Sequence, residues 1–169
     1  MIEKIICGGF ETNTYIISNE GKCVIVDPGL DFLEYSLSIK TKYEVEAILI
    51  THGHIDHIDG MKYFPSVPIY IHEYDEEFIY DSRLSLYSWM NLKTPYRKNT
   101  LNIKTVKDND ILNLIGFEFS GINFGSSLLT LSTNKTPFKW SYSCWNTTAK
   151  YPFNLILFFS TCLVSKSYK

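Results

Sequence analysis

The chain has 169 residues and a mass of 19.6 kDa, the size of one domain around one core, and its 45% hydrophobic and 20% charged residues are ordinary globular usage. This composition excludes a disordered, collagen-like or coiled-coil chain. A net charge of −2 gives no general pull on nucleic acid or anionic lipid, and the longest apolar-rich run, Phe153 to Val164, is shorter than the ~20 residues of a bilayer-spanning helix.

All Asp and Glu residues lie at or before Glu118, so residues 1–118 carry −7 and residues 119–169 carry +5. Cys7, Cys23, Cys144 and Cys162 show no close pairing, and the opening MIEKIICGGF lacks the long apolar core of a signal peptide. These features point to a reducing cytoplasm, with the cysteines as core or inert thiols.

In chain order, Tyr15-Ile16-Ile17 and Cys23-Val24-Ile25-Val26 read as strands joined by the polar turn Ser18 to Gly21. Asp27-Pro28-Gly29 is a strong turn signal. Leu33 and Leu37, four apart, then predict a modest helix up to about Lys42, followed by a buried strand over Val45 to Thr51. A further strand over Val67 to Ile71 leads into an acidic stretch, Glu73 to Asp81, which reads as a helix with a solvated face. Residues 82–100 carry turn formers and aromatics without a clear period. Lys104 to Phe119 reads as a hairpin turning at Asp108-Asn109-Asp110 or at Gly116.

Chemistry concentrates in Thr51-His52-Gly53-His54-Ile55-Asp56-His57-Ile58-Asp59-Gly60, directly after the predicted buried strand. In an extended segment His52 and His54 project to the same side and can converge on one ion, with Gly53 adding no bulk between them. If the chain then turns, Asp56 and His57 supply an oxygen and a third imidazole to a second ion, ~3.5–4 Å from the first. Nitrogen and oxygen donors together suit Zn²⁺, with Fe or Mn also permitted. A chance cluster in a polar loop is the competing view; at this chain's His and Asp frequencies it arises on the order of once in ten thousand such sequences.

This segment resembles the H-x-H-x-D-H signature of the metallo-β-lactamase fold hydrolases. Glu11 to Ile17 followed by Val26-Asp27-Pro28-Gly29 is similar to that family's N-terminal hairpin and D-P-G turn. Ile71-His72-Glu73-Tyr74-Asp75 and the Asp108 to Phe119 segment are similar to later parts of its small glyoxalase II-like members. The resemblance covers about residues 1–119 and implies an α+β fold, an αββα sandwich with metals at one edge of the paired sheets. It also implies two ions, the first on His52 and His54 and the second on Asp56 and His57. A hydroxide between them would attack a carbonyl carbon, oriented by Asp56 as the catalytic residue, in thioester hydrolysis of a small-molecule substrate. Asp27 has two readings, an outer-shell partner of the site or simply a turn former. His72 is expected at a helix start or on the surface, Asp59 as a solvated or capping residue, and Gly60 as a site of close helix packing.

Beyond residue 119 the family pattern stops. The G-H-T-x-G-type segment, the G-D and the last histidine are absent: no His follows His72, and no Asp or Glu follows Glu118. Each ion would keep two protein ligands, where catalytic zinc ordinarily has three plus water. The sandwich is therefore expected to be incomplete after about residue 119, one sheet losing its partners, with 120–169 as a separate unmatched tail. That tail looks like a shifted reading frame of an AT-rich gene. The alternative is a natural divergent C-terminus, an interaction surface using Trp140, Tyr142 and Trp145. Two functions follow: a metal-dependent, glyoxalase II-like thioester hydrolase, or a truncated, non-catalytic metal-binding fragment of one. Iron-dependent relatives that handle oxygen or persulfides are a lesser option.

Overall fold

A computed structural model describes residues 1–123, 126–133, 136–144 and 165–168, with side chains through residue 120. Six strands form the first sheet in sequence order: β1 (Ile2–Cys7), β2 (Thr12–Asn19), β3 (Lys22–Val26), β4 (Glu44–Leu49), β5 (Ile69–His72) and β6 (Ile103–Val106). The first three pair antiparallel, and β3 to β6 pair parallel. Parallel neighbours need crossovers, and these carry α1 (Leu33–Lys42), α2 (Ile55–Ile58) and α3 (Glu76–Tyr80). The second sheet is antiparallel and runs β7 (Ile111–Leu114), β8 (Phe117–Asn123), β9 (Ser126–Thr133), β10 (Thr136–Cys144) and β11 (Ser165–Tyr168).

Alternation along the strands sorts the core into two layers. Ile16, Ile25, Ile48 and Ile69 face Phe32, Ile39, Ile58, Met61 and Phe64 from the crossover segments. Tyr15, Ile17, Val24, Val26, Ala47 and Leu49 face Leu114, Ile115 and Phe119 of the second sheet. Each such side chain contributes roughly 1.5–3 kcal/mol on burial, and β2 is covered on both faces, with every residue from Thr12 to Ser18 buried. The apolar side chains that the described helices bury, Ile39, Ile55, Ile58 and Ile79, lie in the first layer, so these residues form helices, sheet and sheet. The two sheets are also joined by polar contacts. Asn19 Nδ2 donates to Ile115 O at 2.9 Å, and Ile115 N donates to Glu46 Oε1 at 2.9 Å. These bonds hold Ile115 at φ +47°, beside Gly116 at +80°, in the two-residue β7–β8 hairpin.

Three expectations need correction. The Lys104 to Phe119 segment is not one hairpin: Gly116 makes a turn, but residues 107–110 cross from β6 in the first sheet to β7 in the second. Helix α1 has the expected end at Lys42 but a different face. Leu33 and Leu37 are exposed, whereas Ser36 and Ile39 are buried, because Ser36 satisfies its hydroxyl on Leu33 O at 2.7 Å and fits the core side. The second sheet is not left without partners, since β9 pairs along β8 and β10 along β9; a tail rich in Thr and aromatics suits strands. The boundary expected near residue 119 falls within β8. Trp145 and the side chains of Trp140 and Tyr142 lie outside the described residues.

Ile39→Ala is expected to destabilise the chain by about 2–4 kcal/mol, and Leu37→Ala by no more than about 0.5 kcal/mol. Urea unfolding of the two variants checks which face of α1 is packed.

Candidate metal centre

The histidine segment leaves β4 at the carboxyl end of the parallel strands, the edge where open α/β sheets place their ligands. Three further positions meet it there: the Asp27 turn after β3, His72 at the end of β5, and Thr12 at the start of the antiparallel β2.

Asp27 anchors the edge. It is fully buried, at φ +51°, and its carboxylate accepts from Thr51 N at 2.8 Å and from Thr51 Oγ1 at 2.7 Å. His57 Nδ1 lies 2.9 Å from the same carboxylate. Asp27 is therefore both readings at once, a left-handed turn residue and the partner that fixes the histidine loop and the His57 ring. Thr14 Oγ1 donates to Asp27 O at 2.6 Å and secures the turn from β2.

The four expected donors are brought together. The ring centroids of His52 and His54 are 4.7 Å apart, those of His52 and His57 are 4.0 Å apart, and His57 Nε2 lies 3.2 Å from Asp56 Oδ2. His52 thus sits nearer His57 than His54, so the four form one cluster rather than two separated pairs. His52 and His57 are buried, while His54 and Asp56 are partly exposed at the mouth. Gly53 permits this approach: a Cβ there would run into the Phe78 side chain and lie 3.1 Å from Asp75 O. Gly60 has the packing role expected, since its Cβ would meet Pro28 O at 2.8 Å and Phe32 Cβ at 2.9 Å.

Burial and charge push these groups in opposite directions. Desolvation, reinforced by neighbouring imidazoles, holds His52 well below the usual histidine range. Desolvation also pushes His54 down to about 4. For His57 burial acts the same way but is outweighed by Asp56 and then Asp27, which raise it to about 10. Asp56 goes well below the usual carboxylate range: burial opposes ionisation, but the His57 charge and hydrogen bonds from His57 and Thr12 overcome it.

Two neighbours differ from expectation. His72 is neither on the surface nor at a helix start: it ends β5, is 1% exposed, and has Nε2 at 3.2 Å from Asp108 Oδ1. Its burial follows from the parallel pairing of β5 with β6, which puts the β5 end inside the edge. Asp59 is buried rather than solvated, accepting from Tyr87 Oη at 2.8 Å and Lys62 Nζ at 2.7 Å. The acidic run is likewise not wholly solvated, since Asp75 is buried and its carboxyl is pushed up by desolvation. Sequence reasoning missed Thr12, whose Oγ1 donates to Asp56 Oδ2 at 2.8 Å. Cys7 and Cys23 are buried free thiols, and burial pushes Cys23 up to about 12.

The sequence profile described as the metallo-beta-lactamase superfamily matches residues 7–126. The chain belongs to that superfamily. A probable metallo-hydrolase, YqgX of Bacillus subtilis (strain 168), is 32% identical over 82 residues, 46% of this chain and 39% of the relative. The hydroxyacylglutathione hydrolase of Buchnera aphidicola subsp. Acyrthosiphon pisum (strain APS) is 36% identical over 59 residues, 32% of this chain and 24% of the relative. Among solved structures, the BLEG-1 B3 metallo-beta-lactamase superposes with a TM-score of 0.62 at 27% identity, covering 80% of this chain and 68% of that one. The aligned part of this chain thus spans well under half of either curated relative. No helix among the described residues is long and apolar enough to cross a membrane.

Members of the metallo-beta-lactamase superfamily depend on metal ions. The donor chemistry here fits a divalent cation: two imidazoles held neutral and a carboxylate held ionised are the forms that bind metal. The donor count is short, because among the described residues no group of three or more His, Cys, Asp or Glu side chains is arranged as a metal site. His52, His54, Asp56 and His57 are the residues that would hold an ion at this edge.

Asp27→Ala strands the Thr51 donors and the buried His57 ring, and is expected to cost about 3–5 kcal/mol in urea unfolding. A second expectation concerns protons. With His57 raised to about 10 from an ordinary 6.5, the metal-free chain keeps its ring protonated between those values, whereas His52 and His54 are already neutral. Zinc binding at pH 8 should therefore release about one proton per chain, read as a buffer-dependent binding enthalpy, and release should fade as pH passes 10.

Proposed function

We propose that this chain is the metal-binding part of a metal-dependent hydrolase, glyoxalase II-like, that cleaves a small-molecule thioester in the cytoplasm. The observation that carries the proposal is the convergence of His52, His54, Asp56 and His57 at the carboxyl edge of the first sheet, with Asp56 kept ionised. Relatives named as hydroxyacylglutathione hydrolases support a thioester substrate. Imidazole with carboxylate supports zinc as the ion, with iron or manganese next.

A bound divalent ion supplies a water acidic enough to ionise near neutral pH and a positive charge for the oxyanion of the reaction. The chain's own residues supply placement. Asp27 sets the His57 ring through Nδ1, so Nε2 faces the cluster. Asp56, partly exposed and ionised, is the group in reach of an attacking water, and His54 stands beside it at the mouth. Burial of His52 and His57 excludes water from the inner half of the site.

A second reading is favoured by the short donor count: a non-catalytic metal-binding fragment of such a hydrolase. In that reading the tail beyond 119 stands where the family carries its remaining ligands, and a shifted reading frame is its simplest origin.

Metal analysis and a thioester assay separate the two. The hydrolase reading predicts about two ions per purified chain and turnover of a hydroxyacylglutathione thioester that falls at least 100-fold in His54→Ala. Easily chelated metal well below one ion per chain, with no turnover of thioester, ester or lactam, establishes the fragment.

A further inference from the structure

Thr12 is buried to 1% exposure at the first position of β2, opposite Cys7 in the β1–β2 pairing. The turn before it has Glu11 at φ +55°, which delivers the Thr12 side chain to the same sheet edge as the histidine cluster. Its Oγ1 donates at 2.8 Å to Asp56 Oδ2, across 44 residues of sequence. His57 Nε2 lies 3.2 Å from the same oxygen. Both contacts fall on Oδ2.

We propose that Thr12 is a positioning residue for metal binding, holding the Asp56 carboxylate by Oδ2 at the histidine cluster. The assignment rests on the metal-binding reading given above and deepens it. Two side chains meet Oδ2, the Thr12 hydroxyl and the His57 ring. Of the two, Thr12 is the one that is not itself a candidate metal donor, so its hold on Asp56 does not compete with ion binding. Asp56 is partly exposed on a four-residue helix, so without the hydroxyl its side chain loses one of the two contacts that hold it against turning to solvent. A β-branched residue in a strand has a restricted χ1, which makes Thr12 a stiff donor rather than an adaptable one. Orienting partners of metal-bound groups are typically worth 10–100-fold in metal affinity.

The experiment is a Co²⁺ titration of the full chain in competition with a chelator, comparing wild type, Thr12→Val and Thr12→Ser at pH 8, on proteins whose far-ultraviolet dichroism matches wild type. Val keeps the shape and removes the donor; Ser keeps the donor. The expected result is Co²⁺ affinity at least 10-fold weaker in Thr12→Val and within threefold of wild type in Thr12→Ser. Thr12→Ala stands in for Val if the Val variant does not fold. Affinity in the Val or Ala variant within threefold of wild type, or loss as large in Ser as in Val, overturns the assignment of Thr12. A wild-type chain that binds no Co²⁺ overturns the metal-binding reading and this assignment with it.

Discussion

The Asp27 carboxylate is the contact on which the edge of the molecule depends. Removing a carboxylate from water is costly unless its oxygens are satisfied, and here they take Thr51 N, Thr51 Oγ1 and the His57 ring. Those partners belong to the segment leaving β4 and to helix α2, so one buried side chain after β3 ties three successive pieces of the first sheet together. Asp27 holds these contacts from a left-handed backbone conformation, φ +51°. The loop from Thr51 to Asp56 makes no strand pairing of its own, and beyond this tie it is held by Ile55 N donating to Ser85 O and by Thr12 donating to Asp56.

The electrostatic character of the site follows from that arrangement. Three imidazoles share one desolvated edge, yet only His57 has carboxylates against both ring nitrogens, and only His57 is raised. His52 and His54 pay for desolvation without such partners and stay neutral. The metal-free chain thus keeps a proton between His57 and Asp56, a positive charge lying among donors that favour one. A divalent ion would replace that charge with a larger one, and this links the geometry of the sandwich edge to the chemistry of the superfamily.

Local features of the site were legible in the sequence, and distant ones were not. The spacing of His52, His54, Asp56 and His57 is contained in six residues, so a strand end and a turn are enough to predict convergence. The Asp27 turn could be read from Asp-Pro-Gly, but its carboxylate contacts reach 24 residues ahead. Thr12 reaches 44 residues ahead, and a threonine at the start of a strand has no spacing signal for that role. The absence of acids and histidines from the tail was plain, but its strands were not read from the sequence, because pairing of β9 on β8 is a matter of register between segments. Helix α1 shows the reverse case: its apolar pair Leu33 and Leu37 suggested a face that packing gave instead to Ser36 and Ile39.

The central claim is that imidazole and carboxylate groups of this edge bind a divalent ion directly. X-ray absorption at the zinc edge, on the chain loaded with one equivalent of Zn²⁺, tests it most directly. The account predicts nitrogen and oxygen neighbours at about 2.0–2.2 Å with the outer-ring scattering of at least two imidazoles. A shell dominated by sulfur at about 2.3 Å, or zinc surrounded by water alone, contradicts it.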